Sequence, residues 1–389
     1  MTLTGNTEMG LAKTAANVRA MMHDSQRSAS LTAQTEAINL AVGEPDFDAP
    51  TQVIAAMKTA LDLGFTHYAD FAGDLELREA IAEKYQYPSA RPLTAANIQI
   101  TSGATAALAA VILATTNAGD RVVMPDPTYS LYADLVRLAG GTPVPAPTTR
   151  DHHLDTDVLK KLLPGARSFV YCNPVNPTGA VYSRRELEIL GEIVRGSDTL
   201  IVDDAAYSSL VYQPHTYTSA LEIPDLANRT VLCQTFSKKF AMTGFRVGFI
   251  VAPDHLIAPI AAVHRTFNGA INSAAQRAAL TALTMDDEFA VRTRQVYTAR
   301  MNLTHELLSD IPEFAATRPE GAFYAFPRIL TGHTSNQVVE HLLSHGVKVR
   351  SGSEFGRGGD HYLRISFSTS TNALEQALIR TKVAMTQLC

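Results

Sequence analysis

Several residue types that would point to particular classes of protein are scarce in this sequence. The 389-residue chain has no tryptophan and only three cysteines, Cys172, Cys233 and Cys389. Their odd number and their lack of metal-ligand spacing argue against a disulfide framework and predict a reducing, cytoplasmic location. No apolar run approaches the roughly 20 residues of a membrane helix, and the N-terminus lacks the basic and then apolar order of a signal peptide. The sequence therefore predicts neither a membrane span nor export.

Neither positive nor negative charge predominates in the sequence. Lys and Arg number 33 against 38 Asp and Glu, which gives a net charge of -5 without a long run of either sign. A nucleic-acid-binding protein needs a basic stripe or patch, so small molecules or a second copy of the chain are the expected partners. The 46% share of hydrophobic residues is ordinary for a globular protein, and 389 residues exceed what one core usually serves. We therefore expect two domains.

Short apolar runs alternate with longer segments of helical spacing from Ala37 onward. Residues 104–115 and 184–195 are examples of the helical segments. The runs that predict buried strands are residues 98–100, 121–124, 168–172, 199–202, 231–234 and 247–251. Strands that alternate with helices are typical of a parallel sheet covered on both faces, so the predicted fold class is α/β.

The pattern changes at both ends of this alternating region. Residues 1–36 have weak periodicity and predict an arm or a loosely ordered start. After about residue 290 come a long helical stretch, the segment GAFYAF, a helix near residues 335–345, and strands around Val347 and Leu363. We expect an N-terminal arm with part of a small domain in residues 1–48, a large domain over 49–288, and a small α+β domain over 289–389.

An amine stands among hydroxyl and guanidinium groups in TFSKKFAMTGFRVGF, residues 235–249. This segment follows a predicted strand, and α/β sheets place their chemistry at strand ends. Lys238 acts as a covalent catalyst if burial or a neighbouring charge disfavours its ammonium form, and Lys239 and Arg246 are candidates for that charge. A lone lysine is more often a solvated surface residue, so the assignment depends on the other motifs.

Three further segments join predicted strands to small or polar residues. SGATAAL, residues 102–108, follows a strand and opens a helix, where small residues let backbone N–H groups approach an anion. DDAAY, residues 203–207, ends another strand with two carboxylates, and NPVNPTG, residues 173–179, forces turns. Taken singly, each segment also has a purely structural interpretation as a helix start, a cap or a loop.

These segments resemble, in the same order, the motifs of class I aminotransferases among the fold-type I pyridoxal-phosphate (PLP) enzymes, the aspartate/aromatic aminotransferase-like family. The resemblance runs from about Ala37 to Ser370, and Lys238, Gly244 and Arg246 match the spacing of its lysine signature. It implies a mostly parallel seven-stranded sheet flanked by helices, beside a smaller α+β domain. It also implies that the cofactor is PLP, held as a Schiff base by Lys238.

The resemblance further implies roles around the cofactor ring. Asp204 resembles the carboxylate that pairs with the pyridine nitrogen, while Tyr207 and Asn176 resemble the residues that reach the phenolic oxygen. The family usually reads Asp-Glu-x-Tyr, whereas Ala205 follows Asp204 here, so Asp203 is an alternative partner.

A phosphate site and a substrate site are implied in the same way. The residues that resemble phosphate and ring binders are Gly103, Ala104, Thr105, Tyr129, Thr235, Ser237 and Arg246, with Tyr68 lent by a neighbouring subunit. Thr235 stands where the family commonly has Ser or Gly, and it keeps a hydroxyl. Arg364 in LRISFS, Gly43 and Asn176 resemble the residues that hold the substrate α-carboxylate. A shared site implies a homodimer.

The expected activity is transfer of the amino group of an L-amino acid to a 2-oxo acid, with Lys238 as anchor and general base. The same scaffold supports β-elimination and ring-forming elimination, so a lyase or cyclising enzyme is the alternative. Dicarboxylic, aromatic and aliphatic donors all stay open, because no arginine for a distal carboxylate is identified. Arg350, next to Ser351 where the family often has Pro, either reaches the substrate pocket or faces solvent. Neither a metal nor a nucleic acid is expected.

Overall fold

Helices and strands alternate through most of the computed structural model, which describes residues 13–25, 36–87 and 89–388. The helices are α1 (Ala16–Asp24), α2 (Thr51–Asp62), α3 (Leu75–Gln86), α4 (Gly103–Thr115), α5 (Leu131–Leu138), α6 (Thr156–Leu162), α7 (Arg184–Val194), α8 (Pro224–Ala227), α9 (Phe236–Lys239), α10 (Asp254–Asn268), α11 (Ser273–Thr284), α12 (Glu288–Ser309), α13 (Ser335–Ser344) and α14 (Thr371–Leu388). In the described ranges, no helix combines the length and apolar character that crossing a bilayer requires.

The strands are mostly short and fall into one large sheet and several small ones. They are β1 (Ile38–Asn39), β2 (Ile98–Thr101), β3 (Arg121–Asp126), β4 (Thr142–Pro147), β5 (Ser168–Cys172), β6 (Leu200–Asp204), β7 (Thr230–Thr235), β8 (Gly248–Val251), β9 (Phe314–Ala315), β10 (Tyr324–Ala325), β11 (Arg328–Ile329), β12 (Val347–Lys348), β13 (Arg350–Ser351) and β14 (Leu363–Ser366).

The large sheet has seven strands in the order β2-β8-β7-β6-β5-β3-β4. Strand β8 runs antiparallel to both of its neighbours, and the other adjacent pairs are parallel. Successive residues of β5 point to opposite faces: Phe169 and Tyr171 share a core with α6 and α7, whereas Val170 and Cys172 share one with α4 and α5. Helices therefore cover both faces, which confirms the predicted mostly parallel, seven-stranded α/β sheet.

Strand β4 is the one member of the large sheet that the apolar runs miss. Its sequence TPVPAP has proline at every second position, and proline lacks the N–H group that a central strand needs. Among the described residues, this strand pairs only with β3, at the edge of the sheet. The prolines that hide β4 from a sequence pattern are therefore compatible with its edge position.

Residues after α11 build a second group of helices and small sheets. Strands β10, β14 and β13 form an antiparallel sheet, and β11 pairs with β9. Helix α13 and strands β12 and β14 confirm the predicted helix near residue 335 and the strands around Val347 and Leu363. Strand β1 pairs in parallel with β12, so residues before 49 reach this group. The division into two domains stays a prediction.

Part of the expected N-terminal arm is helical. Residues 1–12 and 26–35 lie outside the described residues, but helix α1 lies between them. It contacts α5, because Asn17 Nδ2 donates to Leu138 O at 2.7 Å and Ser25 Oγ donates to Asp134 Oδ2 at 2.9 Å. The sequence did not predict this helix, and the expectation of an N-terminal arm stays a prediction. None of the residues of α1 is buried, so no apolar stripe was there to reveal it.

The sheet brings three polar segments to one edge. Strand β5 leads into NPVNPTG, β6 ends at Asp204, and β7 ends at Thr235. These strands are parallel neighbours, so their carboxyl ends lie side by side. The Thr235 hydroxyl accepts a hydrogen bond from Ser237 N–H at 3.2 Å and so caps α9, the single turn that carries Lys238.

Candidate active site

A cavity of about 320 Å³ lies at the carboxyl ends of β5, β6 and β7. Most of the residues that the sequence predicts for the site line it, namely Gly43, Ala104, Thr105, Tyr129, Asn176, Asp204, Tyr207, Thr235, Ser237, Lys238, Arg246 and Arg364. The walls also include residues that the sequence interpretation did not assign, among them Glu44, Cys172, Thr243, Tyr324 and Phe355. Segments that are far apart in the sequence therefore converge on one cavity.

Gly103 and Tyr68 are predicted site residues that do not line the cavity. Gly103 has a φ of +77° and lies directly behind Arg246, where an added Cβ atom would come 3.0 Å from Nη2. Glycine thus lets the start of α4 approach the guanidinium. Tyr68 is 95% exposed and borders a separate surface depression. Its role in a neighbouring subunit stays a prediction.

The Lys238 side chain is half-buried and lines the cavity. It donates a hydrogen bond to Gly43 O at 2.7 Å. Burial lowers the pKa of Lys238 to about 8; Arg364 and Arg246 also lower it, and Glu44 opposes them. The amine therefore meets the condition that covalent catalysis by lysine requires.

Lys239 does not contribute to this effect as the sequence suggested. Its ammonium lies 3.3 Å from Asp287 Oδ1, and its side chain lines a second cavity on the other side of Thr235. The expectation that Lys239 supplies positive charge to the site is wrong. Arg364, which is distant in the sequence, does so instead.

The adjacent carboxylates Asp203 and Asp204 face opposite sides of the sheet, as alternation along a strand requires. Asp204 lines the cavity and accepts a hydrogen bond from Tyr132 Oη at 2.7 Å. Asp203 is fully buried on the far side, where Ser219 Oγ donates to it at 3.2 Å and Ala220 N–H at 3.1 Å. Of the two candidates, only Asp204 can meet a ligand in this cavity.

Two opposing effects act on the pKa of the Asp204 carboxyl group. Burial raises the pKa of Asp204 to about 6, while the hydrogen bond from Tyr132 lowers it. A cationic group in the cavity would favour the charged carboxylate further. The sequence interpretation missed Tyr132, although it lies three residues after Tyr129 in PDPTYSLY, because an aromatic residue at helical spacing is more often a core residue.

Tyr324 is a second cavity residue that the sequence interpretation missed. Its hydroxyl lies 2.8 Å from the Tyr207 hydroxyl, and its ring centroid lies 4.4 Å from Arg364 Cζ. A Cβ atom at position 43 would overlap the Tyr324 hydroxyl, so Gly43 is needed for this close approach. The segment GAFYAF gave no signal beyond that of an apolar strand.

Arg364 is 4% exposed, with its guanidinium in the cavity wall. It donates hydrogen bonds to Asn176 Oδ1 at 3.1 Å and to Ala41 O. Its Nε has no partner among the described residues. Because an unpaired buried guanidinium N–H is costly, a carboxylate in the cavity is a chemically suitable partner for it.

The first turn of α4 and Arg246 form an anion cradle. Ser102 precedes the helix without capping it through its side chain, and Ala104 and Thr105 line the cavity. Arg246 has a left-handed φ of +55° and donates to Thr243 O at 3.0 Å and to Ser102 O at 3.4 Å. Free N–H groups at a helix start, together with a guanidinium, favour a phosphate.

The cavity residues fit PLP. Lys238 offers an amine to its aldehyde, Asp204 offers a carboxylate to its ring nitrogen, and the anion cradle at α4 suits its phosphate. Tyr129 lines the same cavity and offers an aromatic face. Across residues 13–25, 36–87 and 89–388, no group of three or more His, Cys, Asp or Glu side chains is arranged to hold a metal ion.

Arg350 lines the cavity rather than facing solvent. Strand β13 pairs with β14 in a register that sets Arg350 opposite Arg364. Its guanidinium is occupied by Glu354, because Nε donates to Glu354 Oε2 at 3.1 Å and Nη2 donates to the same oxygen.

Known proteins with similar sequences and structures belong to the family that these residues resemble. The chain is 33% identical to the aspartate aminotransferase of Pyrococcus horikoshii over 357 residues, which covers 90% of this chain and 91% of that protein. It is 35% identical to aromatic-amino-acid aminotransferase 2 of Thermococcus litoralis over 353 residues, or 88% of this chain and 90% of that protein.

The comparison of structures agrees. The crystal structure of the aromatic aminotransferase from Pyrococcus horikoshii matches with a TM-score of 0.89 and 33% identity, over 95% of this chain and 99% of that one. The class I and II aminotransferase family matches residues 35–380. The chain therefore belongs to the class I and II aminotransferase family, and it is an aminotransferase whose cofactor is PLP.

Proposed function

We propose that the chain moves the amino group of an L-amino acid to a 2-oxo acid, with Lys238 as covalent anchor and as general base. The observation that carries this proposal is the half-buried Lys238 amine in the same cavity as Arg364. Its pKa of about 8 leaves part of the amine uncharged near neutral pH, and the uncharged form attacks a carbonyl or accepts a proton. When bound, PLP supplies the electron sink that makes loss of the α-proton feasible.

Arg364 and Asp204 each serve one charged group: Arg364 serves the substrate carboxylate, and Asp204 serves the ring nitrogen of the cofactor. The Arg364 guanidinium, held by Asn176, binds the substrate α-carboxylate and so aims the α-hydrogen at Lys238 Nζ. The Asp204 carboxylate would keep the ring nitrogen of PLP protonated, and the hydrogen bond from Tyr132 orients that carboxylate. When PLP is bound, Tyr207 and Asn176 would donate to its phenolic oxygen.

The two half-reactions test this function directly. Single-turnover mixing of PLP-loaded protein with donors that lack a β-leaving group should convert the cofactor absorbance to that of the pyridoxamine form, and a 2-oxo acid should restore it. Transfer is favoured over elimination because the relatives named above are aminotransferases. If only β-substituted amino acids react, and they release ammonia and a 2-oxo acid, the protein is a lyase or cyclising enzyme instead.

We further propose that Arg350 binds the side chain of the amino donor. Directly opposed residues of an antiparallel pair share one face, so Arg350 and Arg364 point to the same region, and their Cζ atoms lie 5.8 and 5.0 Å from the centroid of the Phe355 ring. Arg364 is assigned to the α-carboxylate, which leaves Arg350 for a carboxylate on the side chain. Glu354 forms an ion pair with Arg350, and this ion pair must open when the side-chain carboxylate of the donor binds. A dicarboxylic donor is therefore proposed, which agrees with the name of the aspartate aminotransferase of Pyrococcus horikoshii but not with the names of the aromatic aminotransferases above.

Paired variants test the role of Arg350. Arg350→Gln should lower kcat/KM for glutamate and aspartate roughly 10- to 100-fold, the loss expected for a charge-assisted hydrogen bond. Glu354→Gln should raise kcat/KM for the same donors, because their carboxylate no longer competes with Glu354. Leucine is the control donor, and the double variant Arg350→Gln/Glu354→Gln controls for a buried carboxylate left unpaired. Equal losses for charged and neutral donors would contradict the assignment.

A homodimer with shared sites is also part of the proposal. Phe65, Tyr68 and Phe71 lie close together in the chain and are between 37% and 95% exposed, and we call them the aromatic surface. Arg277 lies over Phe65 and Arg265 over Phe71, which ties this surface to the helices behind it. Large exposed apolar patches usually mark an interface. A second copy of the chain would cover this surface, so that Tyr68 of one subunit would reach the phosphate bound in the cavity of the other subunit.

Complementation between inactive variants tests the shared site. Lys238→Ala and Tyr68→Ala should each be impaired alone at limiting PLP, and co-expression should restore activity in a mixed dimer that has one intact site. The mass in solution should be twice the 42.0 kDa of the chain. Tyr87→Ala is the matched control, because Tyr87 is 88% exposed but outside the aromatic surface. If co-expression gives no more activity than Tyr68→Ala alone, the sites are not shared.

A cytoplasmic location is also proposed, because cysteine thiols stay reduced there. Cys172 and Cys233 are both buried and unpaired. Burial raises the pKa of both thiols well above the ordinary value, so neither behaves as a reactive thiolate. Cys389 lies outside the described residues.

A further inference from the structure

His153, outside the cavity, bridges two carboxylates from distant parts of the chain. Its Nδ1 lies 3.2 Å from both carboxylate oxygens of Glu186, and its Nε2 lies 3.2 Å from Glu320 Oε1. The turn that carries it is closed by a hydrogen bond from Thr149 N–H to His153 O at 2.9 Å. With a carboxylate at each ring nitrogen, both nitrogens act as donors, so the ring is positively charged.

The two carboxylates have further anchors of their own. Glu186 lies in the first turn of α7, where it forms a capping box with Ser183, and it also accepts a hydrogen bond from Leu154 N–H at 3.0 Å. Glu320 Oε2 accepts a hydrogen bond from Val181 N–H at 2.8 Å. The histidine therefore joins two carboxylates that each accept a backbone hydrogen bond from another segment of the chain.

His153 is the cation at this junction. Hydrogen bonds to Glu186 and Glu320 raise the pKa of His153 to about 10, although burial acts against them. His215 approaches the same oxygen of Glu320 only to 3.7 Å. Burial lowers the pKa of His152 to about 4, so this neighbour adds no charge near neutral pH.

Glu320 opens a segment, residues 320–324, that leads to the substrate site. The N–H groups of Glu320 and Gly321 donate to Gly179 O at 3.0 and 2.8 Å, and Gly179 ends the NPVNPTG turn that carries Asn176. At the other end of the segment stands Tyr324, whose ring packs on the Arg364 guanidinium. A shift of Glu320 therefore reaches two of the groups that hold Arg364 in place, Asn176 and Tyr324.

We propose that His153 is a positioning residue for the substrate site: by joining Glu186 to Glu320 it fixes residues 320–324 and, through Tyr324, the guanidinium of Arg364. The inference rests on the proposed role of Arg364 in binding the α-carboxylate. His153 lies outside the cavity walls, so it acts on the placement of Arg364 and not on proton transfer at Lys238. Its influence should therefore appear in substrate affinity more than in turnover.

Steady-state kinetics of the holoenzyme test this separation. His153→Gln should raise KM for both the amino donor and the 2-oxo acid roughly 3- to 10-fold, as expected for coupling through packed side chains, while kcat changes less than about twofold. His153→Arg keeps the charge and has donors on two edges, so it should recover most of the lost affinity. His215→Gln is the matched control, because it faces the same Glu320 at a longer distance.

The pH dependence of stability gives a readout apart from activity. A histidine whose pKa is raised from 6.5 to about 10 stabilises the fold fully below pH 6.5, and this stabilisation is lost as pH rises towards 10. The Tm of His153→Gln should thus fall furthest below wild type at pH 6.5 or lower, and the gap should close towards pH 10. Backbone amides of residues 320–324 should also exchange hydrogen faster in the cofactor-free variant.

The variant Arg364→Lys, measured in the same assays, distinguishes a failure of the proposed carboxylate site from a failure of the positioning role of His153. If Arg364→Lys leaves KM unchanged, the proposed carboxylate site itself is wrong. If Arg364→Lys raises KM but His153→Gln does not, or if His153→Gln lowers kcat alone, the positioning role is wrong while the proposed function stands. A Tm gap that does not vary between pH 6.5 and 10 would also overturn the charged bridge.

Discussion

The burial of one amine is the constraint on which the rest of this active site depends. Lysine is normally protonated far above neutral pH, and an ammonium group is a poor nucleophile and cannot accept a proton. In the cavity, burial and two guanidinium groups bring the pKa of Lys238 down to about 8. The carbonyl of Gly43 still gives the amine a hydrogen-bond partner at 2.7 Å, so it stays oriented. Those same guanidinium groups are the ones assigned to the phosphate and to the substrate carboxylate, so anion binding and amine activation draw on one set of charges.

Side chains far apart in the sequence meet at this amine because the sheet and the C-terminal elements fix them separately. Parallel strands deliver Asp204 and Lys238 to one edge, and the antiparallel pair β13–β14 delivers Arg364 from the other side. Tyr324 is the link between them, since it contacts Tyr207, Arg364 and the backbone at Gly43. The His153 bridge secures the segment that carries Tyr324. Substrate affinity is therefore set partly by contacts outside the cavity.

Patterns along the chain were sufficient for the fold class, for the family and for most cavity residues. Apolar runs predicted the central strands, and the order of motifs around Lys238 pointed to the family. Contacts between distant segments leave no such trace: Tyr132 and Tyr324 look like core aromatics, and nothing in the sequence joins His153 to Glu320. The choice between Asp203 and Asp204 needed the strand register, because the two residues differ only in the face they present. Strand β4 and helix α1 were missed because prolines interrupt one and the other buries no side chain.

Chemical trapping of the cofactor linkage tests the central claim about Lys238 most directly. PLP-loaded protein reduced with borohydride, digested and mapped by mass spectrometry should carry one phosphopyridoxyl group, on Lys238. Lys238→Arg protein treated in the same way should carry none at this site, although Asp204 and the anion cradle at α4 still allow some PLP to bind. A label on Lys239 or Lys84, which line the neighbouring cavity, or on any other lysine of the wild-type protein would contradict the account.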